Sequence, residues 1–85
     1  MDIQPVTLWV NGQTVTATKL INTLVYDNLS TEAKFYYQLQ DSNDIKLADG
    51  NLDMTGADYT NWNGNPDINL AAYNWAASQL NLTIL

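Results

Sequence analysis

The stretch VTLWVNGQTVTATKL, residues 6–20, carries the strongest fold signal in the chain. Apolar and polar side chains alternate through Val6–Val10 and again through Gln13–Leu20, a pattern typical of strands with one buried face. Asn11 and Gly12 join the two runs, and this pair favours a type I′ turn because both central residues of that turn need positive φ. The stretch therefore predicts an antiparallel N-terminal β-hairpin.

Further strands are expected after the hairpin. The apolar run Leu20–Tyr26 predicts a third strand, and the alternating aromatic run Ala33–Gln40 predicts a fourth. Residues 45–54 predict a short strand, a turn at Gly50 and a second extended piece. Turn-forming residues separate these runs, so we expect an antiparallel sheet of four or five strands.

Helix signals begin at Thr55. This residue and Asp58, three positions later, predict the start of a short helix. The sequence Asn65-Pro66-Asp67 predicts the start of a longer helix, because Asn caps helices and Pro suits the first helical position. Asn81 suits a left-handed cap at the C-terminal end of that helix.

The longer helix has a broad apolar arc, so we expect the sheet to cover most of it. The candidate core residues are Leu24, Phe35, Ile68 and Trp75. The predicted fold class is α+β, in a single domain spanning residues 1–85. It consists of a small antiparallel sheet with an N-terminal hairpin, packed against a C-terminal helix that a short helix precedes.

The charged residues exclude several classes of function. Nine Asp and Glu residues stand against three Lys residues, there is no Arg or His, and the formal net charge is −6. Because basic side chains supply most nucleic-acid affinity, direct binding to nucleic acid or to an anionic membrane is not expected. The absence of His and Cys removes the common general base and the thiol nucleophile. We therefore expect no enzymatic activity, no catalytic residue and no cofactor.

One segment has part of a calcium-binding pattern. Asp49, Asn51 and Asp53 have the spacing of the first three ligands of a calcium loop. Met54 stands where that loop needs Gly, and Thr60 stands where it needs a bidentate Glu. We therefore expect a solvated turn there and no metal site.

Aromatic side chains beside polar residues are the candidate interaction sites. Trp9 and Tyr36 fall on strand positions opposite the expected core, and Tyr59 and Trp62 fall on the short helix; these four are the candidate interface. An alternative is a glycan site formed by Tyr59, Asn61 and Trp62, since rings offer a stacking platform and amides both donate to and accept from hydroxyl groups. Packing of Tyr59 and Trp62 in the core or as a lid is the other interpretation, and it is the one that we favour.

The N-terminal residues lack the basic region and apolar stretch of a signal peptide. No run approaches the roughly 18 apolar residues of a transmembrane helix. We therefore expect a soluble protein made in the cytoplasm.

Three segments carry a resemblance. DNLSTEAKFYYQLQ (27–40), GNLDMTGADYTNW (50–62) and NLAAYNWAASQLNLTIL (69–85) resemble short structural proteins of tailed bacteriophages. The resemblance includes no catalytic motif, so it transfers no site residues. It implies a virion component, such as a head-decoration, neck, tail or baseplate subunit, whose partners are other virion proteins or copies of itself.

The predicted function is a non-enzymatic structural or interaction subunit of a phage particle that acts through protein–protein contacts and is oligomeric or assembled. A chain this short buries only about 60% of the surface that it exposes when unfolded, and assembly would cover more of it. Two alternatives remain: a carbohydrate-binding module, for example at a fibre tip, and a small acidic inhibitor of a host protein.

Overall fold

The computed structural model describes all 85 residues. Four antiparallel strands form one sheet in the order β1-β2-β3-β4, and two helices follow the last strand. The α+β prediction is confirmed. The elements are β1 Asp2–Val10, β2 Gln13–Asp27, β3 Glu32–Gln40, β4 Lys46–Thr55, α1 Gly56–Asn63 and α2 Ile68–Gln79.

The N-terminal hairpin is present, but its second strand is longer than predicted. Asn11 and Gly12 both have positive φ, 50° and 83°, as a type I′ turn requires. The two strands expected on either side of Leu20 form the single strand β2. Lys19 pairs with Asp2 of β1 and with Gln40 of β3, so the strand changes partner at this point without ending. The sheet therefore has four strands.

Strand β4 corrects the turn that we predicted at Gly50. The strand is continuous through this residue, which lies opposite Tyr37 of β3. A Cβ atom at Gly50 would lie 2.8 Å from the Tyr37 hydroxyl oxygen. The glycine thus leaves room for a tyrosine ring that crosses the strand, as in pairs where an aromatic side chain covers a strand glycine.

The helix boundaries differ in part from the prediction. Helix α1 follows Thr55, whose side chain makes no capping hydrogen bond. Helix α2 begins at Ile68, and its cap is Asp67, whose carboxylate accepts a hydrogen bond from the Leu70 amide at 3.1 Å. Asn65 is not the cap, because its side-chain oxygen accepts from the Asp67 amide, 3.0 Å away, in the preceding turn.

The C-terminal end of α2 agrees with the prediction. Asn81 has φ 56°, and the Leu82 amide donates to the Ala77 carbonyl at 2.8 Å, which is the geometry of a Schellman cap. The chain then reaches β1, where Ile84 pairs with Ile3 in an antiparallel bridge. This contact covers the beginning of the edge strand β1.

Two clusters of buried side chains lie between the sheet and the helices. Ile3, Ala17, Leu20, Leu39, Ala76 and Ala77 form the alanine-rich cluster. Ala33, Phe35, Met54, Tyr59, Trp62 and Ala72 form the aromatic cluster. Leu52 and Trp75, both half-buried, pack against both clusters and join them.

The core prediction holds for Phe35, which is buried, and in part for Trp75. It is wrong for Leu24 and Ile68, which are 47% and 46% exposed. Leu24 lies near the end of β2, and Ile68 is the first residue of α2. Both residues are apolar and have the periodicity of core positions, but each lies at the end of its element. The packing layer on the other side, helix for Leu24 and sheet for Ile68, does not extend far enough to cover them.

Asn22 of β2 links α2 to the sheet by two hydrogen bonds. Its side-chain amide donates to the Ala72 carbonyl, and its backbone amide donates to the Tyr73 hydroxyl, each at 3.3 Å. Its side-chain oxygen is buried without a partner. The two bonds set where α2 crosses β2.

Candidate interaction surfaces

The sheet face opposite the helices is uncovered and mostly polar. Trp9 lies on this face near the hairpin turn and is 76% exposed. Tyr36 lies on the same face of β3, and its hydroxyl donates to the Asp49 carboxylate at 2.6 Å. Gln38 donates to the Tyr36 hydroxyl, and Lys46 donates to Asp49. Both aromatic residues therefore lie opposite the core, as the strand alternation indicated.

The pKa of Asp49 is held below its ordinary value, first by the hydrogen bond from Tyr36 and then by the one from Lys46. Asp49, Asn51 and Asp53 project from alternate positions of β4, so successive side chains start roughly 7 Å apart along an extended strand. They do not converge as a calcium loop would require. No group of three His, Cys, Asp or Glu side chains in the chain could hold a metal ion.

Tyr59 lies in the aromatic cluster rather than on a surface. Its residue is 2% exposed, and its hydroxyl donates to the Asp27 carboxylate at 2.8 Å. Burial and then this hydrogen bond raise the pKa of the phenol above its ordinary value. The enclosed ring is not free to stack on a ligand or a partner, which removes Tyr59 from the candidate interface and from the candidate glycan site.

Trp62 is also mostly buried, but it borders a cleft. Its ring packs edge-on against Phe35, with ring centres 5.6 Å apart, and lies 5.8 Å from Tyr59. Its indole N–H donates to the Ile68 carbonyl at 2.9 Å. These contacts fix the ring, and they leave only a margin of it for a ligand.

Four exposed apolar residues lie at the end of the molecule where the chain passes from β2 to β3; Leu24 pairs with Phe35 on the core face of the sheet, and Tyr26 pairs with Lys34 on the opposite face. We call Leu24, Val25, Tyr26 and Leu29 the loop-end surface; all four side chains are exposed. The register of β2 against β3 shifts between Leu24 and Tyr26, which makes Val25 the extra residue of a β-bulge. Bulges redirect side chains, and here three consecutive apolar residues reach solvent. This surface was not predicted, because Leu24 has the periodicity of a core residue.

The loop that carries Leu29 is held by its own side chains. The Asn28 side-chain oxygen accepts from the amides of Ser30, Thr31 and Glu32 at 2.8–3.0 Å. The Asp27 carboxylate accepts from the Leu29 amide at 2.8 Å and from Tyr59. The loop is therefore tied to α1 and presents Leu29 in a defined position.

Leu29 itself is in an unfavourable conformation. It is 83% exposed and has φ 61°, in the left-handed region where Asn and Gly are tolerated better than branched apolar side chains. Because the side chain is exposed, packing within the chain does not offset the cost of this conformation. Backbone strain of this kind is found at functional sites.

A cleft with a volume of about 310 Å³ lies between α1 and α2. Its lining residues are Asp58, Asn61, Trp62, Asn65, Ala71, Asn74 and Trp75. Two of them, Asn61 and Trp62, were predicted as candidates. The others were missed, although the dipeptide Asn-Trp occurs at residues 61–62 and again at 74–75. That repetition, one copy on each helix, is the sequence signal that could have pointed to the cleft.

Trp75 is the aromatic wall of this cleft. Its ring packs against Phe35 with centres 5.7 Å apart, and its indole N–H donates to the Asp58 carboxylate at 3.1 Å. The side chains of Asn61 and Asn74 make no hydrogen bond within the chain, and only the oxygen of the Asn65 amide is engaged. The cleft therefore combines a fixed indole with free amide groups.

Neither helix is long and apolar enough to span a bilayer. Comparison with known proteins finds no family model, no curated protein and no solved structure that matches this chain.

Proposed function

We propose that the chain is a non-enzymatic interaction subunit of a bacteriophage particle, a head-decoration, neck, tail or baseplate component that acts through contacts with copies of itself or with other virion proteins. The observation that carries this proposal is Leu29, an exposed leucine in the left-handed conformation on a hydrogen-bonded loop. A partner that covers it supplies the apolar contact that the chain itself lacks.

The distribution of apolar surface supports the proposal. Only 12 of the 85 residues are buried, whereas ten large apolar side chains are exposed. The molecule is elongated, 42 × 23 × 19 Å. Trp9 near the hairpin turn and the loop-end surface lie at opposite ends of β2. Apolar surfaces at two ends suit head-to-tail association, the kind that produces rings and tubes.

The charges support a partner that is a protein rather than a nucleic acid. Lys19 is paired with Asp44, and Lys46 is paired with Asp49. Only Lys34 and the N-terminus are left as cations outside these pairs, in a chain of net charge −6. Neutralising phosphates takes several clustered basic groups, so we propose no direct contact with nucleic acid.

Mass spectrometry of purified particles of the encoding phage tests the proposal. We expect the chain to be present in stoichiometric amounts. A chain that is produced during infection and is absent from purified particles would contradict the proposal.

The variant Leu29→Asn tests the proposed contact. We expect the isolated chain to become more stable by about 0.5–1 kcal/mol, because Asn tolerates positive φ, while its association with itself or its incorporation into particles falls by about tenfold or more. Chemical unfolding measures the first effect, and sedimentation velocity or particle incorporation measures the second. Ile45→Asn is the matched control, since Ile45 is also exposed but lies outside the loop-end surface. Equal losses in both variants would contradict the assignment of this surface.

A further inference from the structure

We propose that the cleft between α1 and α2 binds a single neutral saccharide ring. This function goes beyond the protein–protein contacts proposed above, and it uses a different surface. It also replaces the glycan site predicted around Tyr59, whose ring is enclosed, with a site centred on Trp75, Asn61 and Asn74.

The indole of Trp75 is built as a fixed platform. Phe35 packs against the ring, and Asp58 accepts its N–H, so the ring orientation is set before any ligand arrives. Trp62 beside it is fixed in the same way by Phe35 and by the Ile68 carbonyl. The aliphatic C–H groups on one face of a pyranose pack well against such an aromatic surface. Because the ring is already ordered, binding has a lower entropic cost.

The amide groups around the platform match neighbouring hydroxyl groups. Each Asn side chain offers two N–H donors and one carbonyl acceptor, so it can donate to one hydroxyl and accept from the next. Asn61 and Asn74 are exposed, one on each helix, and their amides have no partner within the chain. The Asn65 amide nitrogen is likewise free, because only its oxygen is bonded to Asp67. Binding sites of this type combine an apolar wall with a few convergent polar groups.

The charge of the cleft selects a neutral ligand. Asp58 is its one charged lining residue, and there is no Lys among the residues that line it. A phosphate, sulfate or carboxylate on the ligand would lack a cationic partner and would be repelled by Asp58. Anionic sugars and nucleotides are therefore excluded, and uncharged hexoses and N-acetylhexosamines fit.

The size of the cleft suits a ligand of one ring. Its volume of about 310 Å³ is at the lower end of the roughly 300–1,000 Å³ of small-molecule sites. A hexose has few heavy atoms, so we expect a dissociation constant on the order of 1 mM for the free monosaccharide.

Amide-resolved NMR titration of the ¹⁵N-labelled chain tests the inference. The probes are glucose, galactose, mannose and N-acetylglucosamine, with glucuronic acid and a hexose phosphate as anionic comparisons. We expect at least one neutral sugar to shift the amide and indole resonances of the cleft residues in a saturable manner, and the anionic sugars to have no such effect. If none of the four neutral sugars shifts these resonances, or if the anionic sugars bind equally well, the inference is wrong.

Two variants, Asn61→Ala and Asn74→Ala, locate the site. Both residues are exposed and helical, and Ala favours helices more than Asn does, so these chains are expected to fold. We expect each variant to weaken sugar binding by about tenfold. Asn51→Ala is the matched control, because Asn51 is exposed on β4 away from the cleft. If Asn51→Ala weakens binding as much as the cleft variants, or if neither cleft variant does, the sugar does not bind in this cleft.

Discussion

The alanine-rich cluster and the aromatic cluster pack the helices against the same sheet, but they are built from different side chains. In the alanine-rich cluster, three of the six buried residues are alanines, two of them on the second half of α2. In the aromatic cluster, Phe35, Tyr59 and Trp62 fill the space between the sheet and α1. Small side chains let a helix backbone approach closely, whereas rings keep the layers apart and bury a large area each.

This difference predicts opposite weaknesses. Where the helix lies close to the sheet, there is no room for added atoms. Where rings fill the space between the layers, removing a ring leaves a cavity and costs much stability. The aromatic cluster should therefore be most sensitive to truncation, and the alanine-rich cluster should be most sensitive to enlargement. Two variants test this contrast, and a third tests the hydrogen bond that Tyr59 makes from the aromatic cluster to Asp27.

Trp62→Ala is expected to have the largest effect. It removes a buried ring that contacts Phe35 and Tyr59, together with the hydrogen bond to Ile68. We expect a loss of about 3–5 kcal/mol in the free energy of unfolding, measured by urea denaturation. Trp9→Ala is the matched control, because Trp9 is exposed and the same truncation there should cost less than about 0.5 kcal/mol in the isolated chain. Similar losses in the two variants would show that Trp62 does not hold the aromatic cluster.

Ala76→Leu tests the close approach of α2 to the sheet. Ala76 is fully buried in the alanine-rich cluster, so the added atoms must displace the helix or its neighbours. We expect a loss of about 1–3 kcal/mol by the same measurement. Ser78→Leu, on the exposed face of the same helix, should change stability by less than about 0.5 kcal/mol. A neutral or stabilising Ala76→Leu would reveal unfilled space in this cluster.

Tyr59→Phe is expected to have the smallest effect, and its signature is a dependence on pH. The pKa of Tyr59 is raised in the folded chain, first by burial and then by the hydrogen bond to Asp27. The stabilising contribution of the protonated phenol is therefore complete below its unfolded pKa of about 10 and is lost as the pH rises through the higher folded pKa.

Melting temperatures of the natural chain and of Tyr59→Phe, compared at about pH 8 and about pH 11, check this prediction. We expect the natural chain to be the more stable at the lower pH and to lose that advantage at the higher pH. Lys19 and Lys46, whose pKa values are also raised by their carboxylate partners, are present in both chains and cancel in the comparison. If the difference in melting temperature between the two chains is the same at both pH values, the Tyr59 phenol does not ionise in the pH range in which the chain is folded, and the prediction is wrong.

Local signals predicted the parts of this fold that local physics controls. The Asn11-Gly12 turn and the Asn81 cap were predicted because positive φ restricts residue choice so strongly. Alternation put Trp9 and Tyr36 on the face opposite the core, since side chains of a strand point to opposite sides in turn.

The errors arose where a neighbouring element decides the outcome. Gly50 indicates a turn by itself, but it lies within a strand because the Tyr37 ring crosses it. Leu24 and Ile68 have core periodicity, yet the opposite layer ends before it covers them. The polar neighbours of Tyr59 in the sequence left its exposure open, and the ring is buried because α1 folds it onto β3 and Asp27.

Local sequence thus determined the turns and the strand faces, because each depends on residues a few positions apart. Tertiary structure decided which aromatic rings are enclosed, where apolar surface remains exposed, and how Asn61 and Asn74 come to share a cleft. Those outcomes depend on which layer lies over which residue, and a side chain's exposure is a property of its spatial neighbours rather than of its neighbours along the chain.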